Sequence, residues 1–127
     1  METTFTNLLE LHSRTELREW LQLFHTSERE CWVVTYRSKA APQYPAIPYT
    51  EVVEEALCFG WIDSFIRRLT DGRVVQRISP RRKNSSFSKL NEERYHNLMK
   101  RGLMTTAGHD AYMHWKGKTI NTDITTH

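Results

Sequence analysis

The 127-residue sequence predicts a single α+β domain, with a small, mainly antiparallel sheet of about three strands and about four flanking helices. Three observations carry this reading. The length suffices for one hydrophobic core and not for two ordinary ones. A composition of 39% apolar and 11% aromatic residues supports a packed interior and excludes a disordered or fibrous chain. The third is the order of patterned segments: helix, strand, helix, hairpin, then two helices.

Each element has its own signal. Ser13 and Glu16 form a capping-box pattern, and Leu17, Trp20, Leu21 and Phe24 follow at i, i+3, i+4 and i+7, which predicts a helix over about residues 14–26. Residues 31–36, CWVVTY, are β-branched and aromatic, and their nearly unbroken apolar character places this strand centrally. Residues 39–48 hold Pro42, Pro45 and Pro48 and read as a loop. A helix opens at Thr50, carries Glu51, Glu54 and Glu55 in its first turns, and ends before Gly60.

Residues 61–69 and 73–79 are extended runs around Thr70-Asp71-Gly72, a hairpin signal. A two-residue turn at Asp71-Gly72 pairs Leu69 with Val74, Arg67 with Gln76 and Phe65 with Ile78 on the core face, so that Arg68 and Arg77 project together from the other. A longer loop shifts the register by one and exchanges the faces. Ser88 then caps a helix carrying Leu90, Tyr95, Leu98 and Met99, and Gly102 stops it. A last helix is expected over about residues 106–116. The domain is thus expected to span residues 1–115, with residues 116–127 a polar, disordered tail.

The net charge of +3 hides a strong asymmetry. Residues 1–63 sum to −5, residues 64–89 to +7 and residues 90–127 to +1. The middle stretch therefore exceeds the total, which bears on what the protein attracts rather than on how it folds. Within it, Pro80-Arg81-Arg82-Lys83 followed by amides and hydroxyls suits phosphate or carboxylate, because guanidinium groups bind such anions in a bidentate fashion. Phe87, Tyr95 and Trp61 would add stacking if exposed.

Other chemistries lack their signatures. The six histidines show no HExxH pattern, so no metal site is expected, and no cofactor is expected without GxGxxG or a P-loop. Cys31 and Cys58 sit in apolar segments and read as buried thiols. No apolar run approaches membrane-spanning length and the N-terminus lacks a basic export region, so the expected location is the cytoplasm. Asp63 interrupts an apolar run and requires polar partners, the nearby arginines being the obvious ones.

The run Glu55-Ala56-Leu57-Cys58-Phe59-Gly60-Trp61-Ile62-Asp63, followed by Ser79-Pro80-Arg81-Arg82-Lys83, Ser85, Phe87-Ser88, Asn91, Gly102-Leu103-Met104 and Ala107-Gly108, resembles the bacterial YdeI/OmpD-associated family. The similarity reaches from about Thr15 to Trp115, with Phe87 where tryptophan is usual and Ser64 where glycine is common. The resemblance implies a small bacterial protein linked to bacteriocin protection, without an established catalytic residue or cofactor. It singles out Trp61, Asp63, Pro80, Arg81, Ser85, Ser88 and Asn91, which coincide with the basic stretch. Three readings follow: a structural lock in which Asp63 holds the Arg81 loop, an anion-binding pocket, or an active site using Asp63. The expected function is a non-enzymatic, stress-linked protein whose hairpin and loop engage an anionic ligand or acidic partner. Candidate ligand-binding residues are Trp61, Asp63, Arg68, Arg77, Arg81, Arg82, Ser85, Ser88 and Asn91. Nucleic-acid binding is the alternative, and a small enzyme the third.

Overall fold

Asn7 turns the chain into the fold. It holds a positive φ of 55°, a conformation asparagine tolerates better than most residues, and its side-chain amide donates to Glu28 Oε1 at 2.7 Å and to the Glu30 carbonyl at 2.9 Å. The computed structural model describes residues 5–83 and 85–123, with side chains through Gly117. A two-residue strand, β1 (Leu8–Leu9), follows Asn7, and helix α1 (Arg14–Phe24) comes next. Ser13 caps the helix as its sequence predicts, accepting from the Glu16 N–H at 3.3 Å. Glu16 Oε1 in turn accepts from the His12 N–H at 2.6 Å, one residue outside the usual box position.

Strand β2 (Cys31–Tyr36) is buried through Thr35 and is central, in keeping with its unbroken apolar sequence. After it come β3 (Ile47–Pro48), helix α2 (Tyr49–Cys58), β4 (Trp61–Arg68), β5 (Val74–Pro80), helix α3 (Lys89–Lys100) and helix α4 (Thr106–Asp123). β5 lies antiparallel along one edge of β2, from Cys31 opposite Ile78 to Thr35 opposite Val74, and β4 lies beyond it. The other edge of β2 receives β1 along its first half and β3 along its second, both parallel. The described residues thus form one α+β domain with four helices and a mixed sheet of five strands. The sequence predicts about three mainly antiparallel strands, because segments of two residues are too short to show a period of two. Pro48, placed in the predicted loop, sits in an edge strand, where its missing N–H breaks no ladder.

The four helices pack on one sheet face, burying Leu17, Leu21, Cys31, Val33, Ala56, Trp61, Ile78 and Leu98 together. The second face carries a smaller cluster of Trp32, Val34, Ala46 and Val75, with Phe5, Tyr36 and Leu69 against it. Buried Glu55, 1% exposed, ties α2 to α1: it accepts from Arg14 Nε and Nη2 at 2.8 and 2.6 Å and from Arg18 Nη1 at 2.8 Å. Arg18 also donates to the Leu103 carbonyl between α3 and α4. α4 approaches the end of α2 closely at Gly108, where a Cβ would lie 2.4 Å from the Cys58 carbonyl oxygen and 2.6 Å from that of Leu57.

Two expectations need correction. α4 continues to Asp123 rather than ending near Lys116, because residues 117–123 contain no proline and each added residue of an established helix gains a backbone hydrogen bond; residues 124–127 lie outside the described residues. The hairpin loop has three residues, Thr70-Asp71-Gly72, closed by the Leu69 N–H donating to the Arg73 carbonyl at 2.7 Å, with Gly72 at φ 95°. The register is therefore shifted by one: Arg67 faces Val75 and Arg68 faces Val74.

Candidate anion-binding site

The shifted register decides which cations meet. Val75, Arg77 and Ser79 alternate on the second sheet face, while Val74, Gln76 and Ile78 point toward the helices. A bulge between Asp63 and Ile66 sets Ser64 and Phe65 opposite the single residue Arg77. Arg77 Nη1 donates to Ser64 Oγ at 3.1 Å and Ser79 Oγ at 3.3 Å, and its Nε to Glu30 Oε1 at 2.6 Å. Phe65, expected on the core face, is 49% exposed, with the guanidinium carbons of Arg67 and Arg77 at 5.0 and 5.9 Å from its ring centre.

At the Pro80 end of this face lies a groove of about 550 Å³ lined by Arg29, Ile62, Ser64, Phe65, Arg77, Ser79, Pro80, Arg81, Arg82 and Ser85. Four arginines and three serines contribute to it and no carboxylate does. A second cavity, of about 270 Å³, shares Arg81, Arg82 and Ser85 and adds Gly60, Lys83, Ala107, Ala111 and His114. Its room comes from small residues: Gly60 stands at φ 75° beside Ala107 and Ala111 of α4. Arg81, Arg82 and Ser85, which line both, therefore form a ridge between two cationic hollows.

Arg81 anchors the ridge. Its backbone N–H donates to the Gly60 carbonyl at 3.0 Å, its Nη2 to the Ser86 carbonyl at 2.8 Å, and its guanidinium lies 4.0 Å from the centre of the Phe87 ring. Phe87 is itself buried against Tyr112 and Trp115. Arg81 Nε and Nη1 are buried without a hydrogen-bond partner. Burial pushes this guanidinium below its ordinary range, against the opposing attraction of Asp63. Asp63 does not bond it: it accepts from the Tyr49 hydroxyl at 3.1 Å, and no carboxylate among the described residues comes within 4 Å of Arg81.

Other cations at the site are also uncommitted. The side chains of Arg29, Arg82 and Lys83 form no ion pair or hydrogen bond with a described residue. In contrast, Arg14, Arg18, Arg73, Arg77 and Arg101 each reach a carboxylate. Carboxylates of the acidic first half thus pair with Arg14 and Arg18 and, in the hairpin, with Arg73 and Arg77, and leave Arg29, Arg81, Arg82 and Lys83 without a carboxylate partner among the described residues.

The predicted site residues divide. Arg77, Arg81, Arg82 and Ser85 converge on the groove. Arg68 does not join them: its side chain lies on the opposite face from Arg77 and donates to the Gly72 carbonyl at 2.9 Å, at the hairpin tip. Trp61 is 1% exposed, with its indole N–H on the His25 carbonyl and its ring edge-on to Trp20, so no ligand reaches its ring. Phe87 and Tyr95 are buried too. Ser88 caps α3, accepting from the Asn91 N–H at 3.1 Å, and Asn91 Oδ1 accepts from Arg94. Asp63, Ser88 and Asn91 line neither hollow.

Sequence reasoning passes over Arg29, Phe65 and His114. Arg29 reaches the groove only because Cys31 pairs with Ile78, a long-range register with no local signature. Among the described residues no group of three or more histidine, cysteine, aspartate or glutamate side chains could hold a metal ion. Both thiols are buried and unpaired. Residues 9–111 match the family described as a domain of unknown function, DUF8412. No curated protein matches the chain, and no solved structure does.

Proposed function

We propose, on the premise that this chain belongs to the DUF8412 family of domains of unknown function, that it binds a small anionic ligand, bearing phosphate or carboxylate, in the groove formed by Arg29, Arg77, Arg81 and Arg82. The observation that carries this is Arg81, a guanidinium with two buried, unpartnered nitrogens at the wall of an open groove free of carboxylates. A buried charge is costly unless it is paired, and unsatisfied buried donors are rare in native structures. An anion in the groove supplies the counter-charge that no carboxylate among the described residues gives this guanidinium. Asp63 belongs to the Tyr49 contact rather than to the groove, which supports a binding protein over an enzyme using that carboxylate.

The test is calorimetric titration of the full chain with inorganic pyrophosphate at low ionic strength. Arg29→Ala and Arg82→Ala each remove a charge-assisted contact of about 1.5–3 kcal/mol and should weaken binding about 10- to 100-fold, with thermal stability unchanged. Equal affinity of wild type and both variants overturns the reading. A second reading, nucleic-acid binding, is favoured by Phe65, which stands half exposed beside arginines at the groove. It requires affinity for a single-stranded oligonucleotide that falls steeply with salt; a flat response between 50 and 200 mM salt removes it. No helix among the described residues is long and apolar enough to cross a membrane. A cytoplasmic location and the stress-linked role implied by the YdeI/OmpD-associated resemblance are part of this proposal, and survival of a deletion strain under antimicrobial-peptide challenge tests the latter.

A further inference from the structure

The two hollows share the ridge yet have their own cations. The larger adds the cations Arg29 and Arg77 to the shared Arg81 and Arg82; the smaller adds the cation Lys83, together with the imidazole of His114 as a hydrogen-bonding group on the same face of α4 as Ala107 and Ala111. Glu30 already engages Arg77, but Arg29, Arg82 and Lys83 have no partner among the described residues. A single anionic group satisfies one hollow and leaves the other open and positive. We infer that the ligand carries two anionic groups, one on each side of the ridge, with Arg81 and Arg82 contacted from both. This deepens the anion-binding reading and rests on it.

Two anionic groups joined by a short connector bind as one bivalent ligand, because the second contact forms at the effective concentration set by the connector. The class that fits is a small organic bisphosphate or phosphate–carboxylate, its connector passing over the ridge beside Ser85.

The experiment uses calorimetry on the full chain with methylphosphonate and a series of α,ω-alkane bisphosphonates of increasing length. One connector length should bind at least about 30-fold more tightly than methylphosphonate, with a maximum in the series. The double variant Lys83→Ala with His114→Ala should erase that gain, so that no bisphosphonate binds this variant more than about threefold more tightly than methylphosphonate does. A bisphosphonate gain below about threefold at every length, or a gain that survives the double variant, overturns the two-group proposal while leaving the anion site intact. Failure of methylphosphonate, pyrophosphate and the whole series to bind overturns the anion-binding reading itself.

Discussion

Replacing Glu55 should cost more stability than replacing any other carboxylate described here, and the reason can be worked through. Its carboxylate is 1% exposed and accepts three hydrogen bonds from Arg14 and Arg18, whose side chains keep 22% and 20% exposure. Burial alone would lower both guanidinium pKa values, but the hydrogen bonds and charge of Glu55, joined by Glu54 at Arg14 and by Cys58 at Arg18, together raise them. Glu55→Ala leaves two partly buried cations facing each other with no shared partner. Breaking a buried pair costs about 3–5 kcal/mol, and the water that still reaches both arginines puts this case near the lower end, about 3 kcal/mol. For a domain of this size that lowers Tm by about 10 °C. Glu54, 21% exposed and held by Arg14 Nη1 at 2.9 Å with a longer contact to Arg101, should cost only about 1 kcal/mol as Glu54→Ala. Urea and thermal unfolding at neutral pH compare the two, and raising the salt concentration should shrink the Glu54 effect more than the Glu55 effect. If Glu55→Ala costs less than about 1 kcal/mol, or no more than Glu54→Ala, Glu55 does not hold α1 to α2.

Three more outcomes follow from packing and burial. Gly108→Ala should destabilise by about 2 kcal/mol or more in chemical denaturation despite the better helix propensity of alanine, since its Cβ would clash with the Leu57 and Cys58 carbonyl oxygens and Met104 Sδ; a neutral or stabilising result refutes the close approach of α4 to α2. Burial pushes the Cys58 thiol up to about 11 and the Cys31 thiol further, so a thiol reagent at pH 8 should modify both only in denaturant, and fast labelling of the native protein contradicts their placement. Burial and the hydrogen bond to Glu92 push the Tyr112 hydroxyl up to about 12, so the folded state keeps a proton that the unfolded state releases near 10; this stability is intact below pH 10 and is lost as pH rises toward 12. The Tyr112→Phe variant should show a shallower loss across that window, and an identical slope would refute the assignment.

How much was legible in the sequence depended on whether the signal was local. The caps at Ser13 and Ser88 involve residues three apart, and both are where the sequence puts them. The central position of β2 follows from its own composition. The faces of the hairpin do not, since they turn on whether Asp71-Gly72 or Thr70-Asp71-Gly72 forms the loop, and a difference of one residue reverses every side chain. That single step separates Arg68 from Arg77. The bulge at Ser64-Phe65 compounds it by exposing an aromatic ring. Likewise, the charge count located the basic stretch but not the pairing that sorts it. Glu30 quiets Arg77 and Glu10 reaches Arg73 across sequence separations of 47 and 63 residues, so which cations stay available is a property of the assembled sheet.

The two shortest strands bear on the solution behaviour of the chain. β2 is its most apolar strand, and an uncovered edge there would offer unsatisfied backbone donors and acceptors to a neighbouring molecule. β1 and β3 lie end to end along that edge and occupy most of its length. The opposite border of the sheet is β4, which ends in Arg67 and Arg68 and is broken by its bulge, features that repel an incoming strand. Four residues of strand, fewer than any periodicity can register, thus guard the protein against edge-to-edge aggregation.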